Sequence, residues 1–149
     1  MRMIAAIAAA TLAVAPLTGA SAGDVSKNTI SEILTGQGYN VRDYDANKIT
    51  VEVSDYLILV AVDGADGDIS FLTWIPGIQA GDVGYQFLNK FNNEVKFGRA
   101  YVDRDGDVAI QMDRNASGGV SAKNIESDFD VFLVLISKFL SDLESQAVA

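Results

Sequence analysis

The chain has 149 residues, of which 20 are acidic and 11 are basic, and its formal net charge is −9. Such an acidic chain repels phosphate backbones, so the composition argues against nucleic acid as a partner. The absence of cysteine and histidine excludes disulfides, thiolate nucleophiles and the side chain that most often serves as general base or metal ligand. We therefore expect one domain that is not an enzyme and needs no cofactor.

The first 22 residues have the pattern of a secretory signal peptide. Arg2 gives the start a positive charge, residues 4–17 are almost wholly apolar, and small residues follow at Ala20-Ser21-Ala22. The apolar run is shorter than the roughly 20 residues that span a bilayer. We expect cleavage between Ala22 and Gly23, which leaves a mature domain of residues 23–149 with no stable membrane span. The expected location is periplasmic or secreted.

The first half of the mature chain predicts one helix followed by strands. Ile30 and Leu34 recur at helical spacing behind Ser26, a candidate N-cap, so the first helix should cover residues 26–34. Alternating and apolar runs then predict four strands, over residues 39–44, 49–53, 56–62 and 69–75. Residues 56–62 are apolar on both faces, which predicts a central strand. The fourth strand should end at Pro76.

The second half predicts a helix, a hairpin and a long last helix. Helical spacing returns after Pro76 at Val83, Phe87, Leu88, Phe91 and Val95. Two strands, over residues 97–102 and 108–112, flank an acidic turn with Asp-Gly at its tip. Ser121 can cap a last helix that runs to about residue 145. The inward stripe of that helix is predicted to be Ile125, Phe129, Phe132, Leu133, Ile136, Leu140 and Leu143. Together these elements indicate one α+β domain.

Four short stretches give the mature chain a family resemblance. They are Gly38-Tyr39-x-Val41, Leu88-Asn89-x-Phe91-Asn92, Ala100-Tyr101-x-Asp103-x-Asp105-Gly106-Asp107 and Gly118-Gly119-Val120-Ser121. Their order and spacing resemble the YbjN domain family, whose members are described as bacterial sensory transduction regulators. The resemblance implies an antiparallel sheet covered by helices in the order helix-strands-helix-hairpin-helix, similar to the chaperones of type III secretion. It also implies peptide binding or dimerisation rather than catalysis.

The last helix contains a candidate partner-binding surface. Residues 131–136 are apolar without interruption, and Val131, Val134 and Leu135 should point away from the inward stripe. Either the sheet and first helix wrap these side chains, or a partner covers them. The leading hypothesis is therefore an exported, non-enzymatic regulatory domain that binds a polypeptide, or a second copy of itself as a homodimer, through the sheet edge or the long helix.

Two polar features offer alternatives. Tyr85, Asn89, Asn92 and Asn93 line the other side of the second helix and could form a polar binding face, or they could brace the following loop and face water. The acidic turn 103–107 begins like a calcium loop, but its glycine comes at the fourth position and its twelfth residue is not a glutamate. A small-ligand or metal-binding sensor module that uses acidic turns is the second functional hypothesis, and a hydrolase with paired carboxylates is the third.

Overall fold

The computed structural model describes residues 25–147, so the Ala22–Gly23 cleavage site lies outside the described residues. The three helices are α1 (Lys27–Gly36), α2 (Ala80–Glu94) and α3 (Ala122–Ala147). The six strands are β1 (Asn40–Asp43), β2 (Lys48–Val53), β3 (Tyr56–Asp63), β4 (Asp68–Gln79), β5 (Gly98–Val102) and β6 (Asp107–Arg114). All neighbouring strands are antiparallel, in the order β1-β2-β3-β4-β6-β5. The α+β fold with an antiparallel sheet is confirmed.

The predicted helix starts are also confirmed. The Ser26 hydroxyl accepts a hydrogen bond from the Thr29 backbone N–H at 3.1 Å, and the Ser121 hydroxyl accepts one from the Asn124 N–H at 3.2 Å. Each bond satisfies a donor that a helix start leaves free. Within residues 25–147, no helix is long and apolar enough to cross a membrane.

All three helices pack on one face of the sheet, where the core lies. Phe71 of β4 contacts Phe129 and Phe132 of α3, with ring centroids 6.0 and 5.8 Å apart. Farther along α3, Phe139 meets Phe91 of α2 at 5.2 Å in an edge-to-face arrangement. These five side chains are almost completely buried in a single cluster. The helices therefore cover the Phe71 face and leave the opposite face of the sheet without a helical layer.

The prediction that the fourth strand ends at Pro76 is wrong, because β4 continues to Gln79. The pairing of β4 with β6 shifts between Trp74 and Gln79, which marks a β-bulge. Proline has no N–H to donate, so a strand tolerates it where the ladder is interrupted. The bulge keeps Pro76 within the strand, and α2 then begins at Ala80.

The prediction that Leu135 points outward is also wrong. Leu135 is only 5% exposed and belongs to the core, as does Phe139, which the predicted stripe omits. The buried face of α3 also includes Asp128, whose carboxylate accepts two hydrogen bonds from the Arg114 guanidinium, one of them 2.7 Å long. This ion pair allows a charged residue to lie in the buried stripe, and the stripe then extends to positions 135 and 139.

Candidate functional site

The face of the sheet opposite the helices carries apolar side chains at its centre. Because side chains alternate along a strand, Leu57 and Leu59 point away from their buried neighbours on β3. Leu72 and Trp74 do the same on β4. Leu57 is 53% exposed and Trp74 is 41% exposed, whereas Leu59 and Leu72 are half-buried. We call this surface, defined by Leu57, Leu59, Leu72 and Trp74, the open face.

The sequence pattern of β3 did not reveal the open face. The strand is central, as predicted, with β2 on one side and β4 on the other. The strand is apolar on both faces, and the helices cover only one of them. Leu57 and Leu59 are the sequence feature that indicates the open face, because a solvated sheet face normally carries polar residues.

A cleft of about 380 Å³ lies on the open face. Its apolar lining consists of Leu57, Leu59, Trp74 and Pro76, and its remaining lining residues are Tyr44, Thr50 and Asp55. The cleft therefore crosses from the end of β1 to the bulged end of β4. Its apolar lining and aromatic members resemble the buried centre of a protein interface more than a solvated sheet surface.

Asp103 fixes the position of the Trp74 side chain. The indole Nε1 donates a hydrogen bond to Asp103 Oδ2 at 2.9 Å, and this bond is the main reason that the pKa of Asp103 is below its ordinary value. The other carboxylate oxygen accepts the backbone N–H groups of Asp105 and Asp107 at 2.9 and 3.0 Å. Asp103 therefore ties the hairpin turn to the tryptophan and holds the ring at the cleft.

The same bonds bear on the metal-binding hypothesis. Both oxygens of Asp103 already accept hydrogen bonds, and the Asp107 carboxylate accepts one from the Gln79 amide. In the part of the chain that the structure describes, no three Asp or Glu side chains are arranged so that they could hold a metal ion. The acidic turn functions in this fold as a brace between β5, β6 and the end of β4.

The long helix presents less apolar surface than predicted. Val134 is 66% exposed, Val131 is half-buried against the core, and Leu135 is buried. The other exposed positions near Val134 are polar, at Asp130 and Ser137. The three residues therefore do not form an apolar strip, and only Val134 offers a large exposed apolar side chain there.

Asn92 of the predicted polar binding face has a structural role. Its side-chain carbonyl accepts the Ala100 N–H at 2.8 Å, and its amide donates to the Ala100 carbonyl at 3.0 Å. Because β5 is an edge strand, the asparagine replaces a neighbouring strand at that position. Of the two alternatives for Asn92, the structure therefore supports bracing rather than ligand binding. Tyr85, Asn89 and Asn93 are exposed.

Comparison with known proteins identifies relatives of this fold. The family model YbjN, described as "Putative bacterial sensory transduction regulator", matches residues 26–145. No curated protein matches the chain. Among solved structures, the crystal structure of YbjN from E. coli, described as "a putative transcription regulator", aligns with a TM-score of 0.65 and 15% identity. The alignment covers 85% of this chain and 96% of that one, so the two proteins share a fold.

Proposed function

The chain belongs to the YbjN family, and from this premise we propose that it is a non-enzymatic regulatory domain that binds a polypeptide partner on its open face. The observation that carries the proposal is the uncovered apolar centre of the sheet, where Leu57 is 53% and Trp74 is 41% exposed. Contiguous apolar patches on soluble proteins commonly mark interaction surfaces. The proposed site therefore moves from the long helix to the sheet.

Trp74 supports this role because its side chain is already held in place. Tryptophan is among the residues that contribute most binding energy at protein interfaces. A ring oriented by the Asp103 hydrogen bond loses less conformational entropy on binding than a free one. The leucines beside it supply apolar area that a partner would remove from water, and this burial is favourable.

The proposal includes export to the periplasm, with cleavage after Ala22. This part rests on the charged start, the apolar run and the small residues of the sequence. Intact mass spectrometry of the protein from the envelope fraction tests it. We expect a mass that begins at Gly23, and a full-length mass in soluble material contradicts the proposal.

Site-specific crosslinking in living cells tests the binding site. A photo-reactive phenylalanine analogue is placed at Leu57, and a matched control carries it at Val134, which is exposed on the opposite side of the molecule. We expect a polypeptide adduct from position 57 and none from position 134. No adduct at either position, or equal adducts at both, contradicts binding at the open face.

A further inference from the structure

Apart from Tyr44 and Asp55, the lining of the cleft offers almost no hydrogen-bonding groups to an occupant. Thr50 is only 9% exposed and its hydroxyl faces the Arg42 carbonyl at 3.5 Å, and the only N–H of the Trp74 side chain is bonded to Asp103. An extended polypeptide lying on this lining would leave its own N–H and C=O groups unpaired, which is costly. A helix satisfies those groups internally. The lining therefore favours a helical occupant.

At Ala100, the middle residue of the edge strand β5, the backbone is not free to pair with an added peptide strand. A peptide that adds a strand to a sheet needs free N–H and C=O groups on the edge strand. On β5 those of Ala100 are both taken by the Asn92 side chain. Recognition through side chains on the open face is therefore favoured over strand addition at this edge.

The end of the cleft near Pro76 is acidic. Asp55 lines the cleft, and the turn 103–107 contains three aspartates against one arginine. This turn lies against the end of β4, because the Ala80 N–H donates to the Gly106 carbonyl at 3.0 Å. Positive groups on an occupant would lower the energy of this arrangement. A second copy would bring a second large negative net charge, so charge disfavours self-association here.

Nearby basic side chains do not cancel this charge. Three of them are each paired with a carboxylate, in the pairs Arg42–Glu52 at 3.2 Å, Lys48–Asp45 at 2.9 Å and Arg99–Asp113 at 3.7 Å. The surface around the cleft therefore retains a negative excess.

We infer that the occupant of the cleft is a basic amphipathic helix, with an apolar stripe that meets Leu57, Leu59 and Trp74 and with lysine or arginine beside that stripe. This inference rests on the proposed function and specifies the chemistry of the polypeptide. The apolar stripe covers the leucines, and the basic flank faces Asp55 and the acidic turn.

Three synthetic peptides test the inference with the purified protein. The first is a tryptophan-free helix of roughly 18 residues, about five turns, with a leucine stripe and lysine flanks. The second has glutamate in place of lysine, and the third keeps the lysines but replaces the leucines with serine. Trp74 is the only tryptophan of the protein, so its fluorescence reports occupation of the cleft, and calorimetry gives the affinity.

We expect the leucine–lysine peptide to bind, the glutamate peptide to bind about tenfold more weakly at low salt, and the serine peptide not to bind. The charge effect should shrink at about 1 M salt, where the Debye length is about 3 Å. The variant Leu57→Ser should weaken binding about tenfold, because the lost side chain supplies apolar contact. The matched control Val134→Ser should bind like the wild type.

The outcomes separate the inference from the proposed function. Equal binding of lysine and glutamate peptides, each weakened by Leu57→Ser, overturns the basic-helix inference and leaves polypeptide binding intact. The basic-helix inference is also overturned, and polypeptide binding left intact, if none of the peptides binds but crosslinking at position 57 captures a segment that is acidic or extended. A wild-type dimer that Leu57→Ser dissociates overturns the inference in favour of a second copy. Absence of both peptide binding and crosslinks overturns the inference and the proposed function together.

Discussion

Gly98, at the start of β5, lies against Leu135 of α3, and we predict that a single methyl group there destabilises the fold. A Cβ built on Gly98 clashes with Leu135 Cδ1 and lies 3.0 Å from the Gln111 carbonyl oxygen. The backbone of Gly98 does not adopt the left-handed conformation that favours glycine. The cost of Gly98→Ala therefore arises from contact rather than from backbone strain, and Leu135 must move.

The magnitude follows from the packing of Leu135. Overpacking a well-packed core costs about 1–3 kcal/mol, and the reduced entropy of an unfolded chain with alanine returns about 0.4–1 kcal/mol. We expect Gly98→Ala to lower the free energy of unfolding by about 1–2 kcal/mol. Leu135→Ala removes a side chain that is 5% exposed and should cost about 2–5 kcal/mol.

A double-mutant cycle isolates the contact. In the Leu135→Ala background the obstructing methyl group is gone, so Gly98→Ala should cost close to nothing, apart from the contact with Gln111. The expected coupling free energy is about 1–2 kcal/mol, within the range for residues in contact. Urea unfolding of the four proteins, followed by circular dichroism and by the fluorescence of Trp74, measures it.

Two results would refute this account. One is Gly98→Ala with a free energy of unfolding within about 0.5 kcal/mol of the wild type, the range expected for surface substitutions. The other is strict additivity of the two substitutions, which would show that Leu135 does not pack on the strand. In either case α3 would not cover β5 as the structure has it.

Three further predictions concern the edge strand, the acidic turn and metal ions. Asn92→Ala should lower the free energy of unfolding by about 1–3 kcal/mol and promote aggregation. The control Asn89→Ala, at an exposed position, should change that free energy by no more than about 0.5 kcal/mol. Equal effects of the two substitutions in urea titrations would contradict the role of Asn92 at the sheet edge. The Trp74 hydrogen bond lowers the folded-state pKa of Asp103 below its ordinary value of 3.8. The stability that this bond contributes should therefore be present above pH 4 and be lost as the pH falls through the folded-state pKa. The stability difference between the wild type and Asp103→Asn should therefore narrow in acid, and a constant difference in urea titrations from pH 7 to 2 would contradict the assignment. Calcium and magnesium should leave the thermal midpoint unchanged, since the turn carboxylates already accept hydrogen bonds; a rise of a few degrees in calorimetry would favour a sensor module.

Local signals predicted most of the element order. Ser26 and Ser121 cap helices because their hydroxyls bond backbone groups three residues away, and such bonds depend only on neighbouring sequence. The strands flanking the 103–107 turn were likewise visible from alternation and from the Asp-Gly pair. The end of β4 could not be predicted in this way, because a Pro76 within a bulge and a Pro76 after a strand have the same local sequence.

Long-range pairing determined the parts that the sequence did not predict. Asp128 is buried on α3 because it pairs with Arg114, 14 residues earlier, and this partner is not visible in the local sequence. Leu135 lies seven residues after Asp128, about two helical turns, and so shares its buried face. The open face was missed for a related reason, since apolar residues on both sides of β3 do not reveal which side the helices cover.

The position of α3 in the chain has a consequence for synthesis. The helix follows all six strands, yet it supplies Phe129, Phe132 and Phe139, which fill the centre of the core. Until α3 has been synthesised, Phe71 lacks the two rings of α3 that cover it, and α1 and α2 cover only part of the face, so the strands cannot complete a stable unit as they emerge. The nascent chain should accordingly stay open to chaperones and proteases until α3 emerges, and truncation before residue 122 should yield a chain that does not fold.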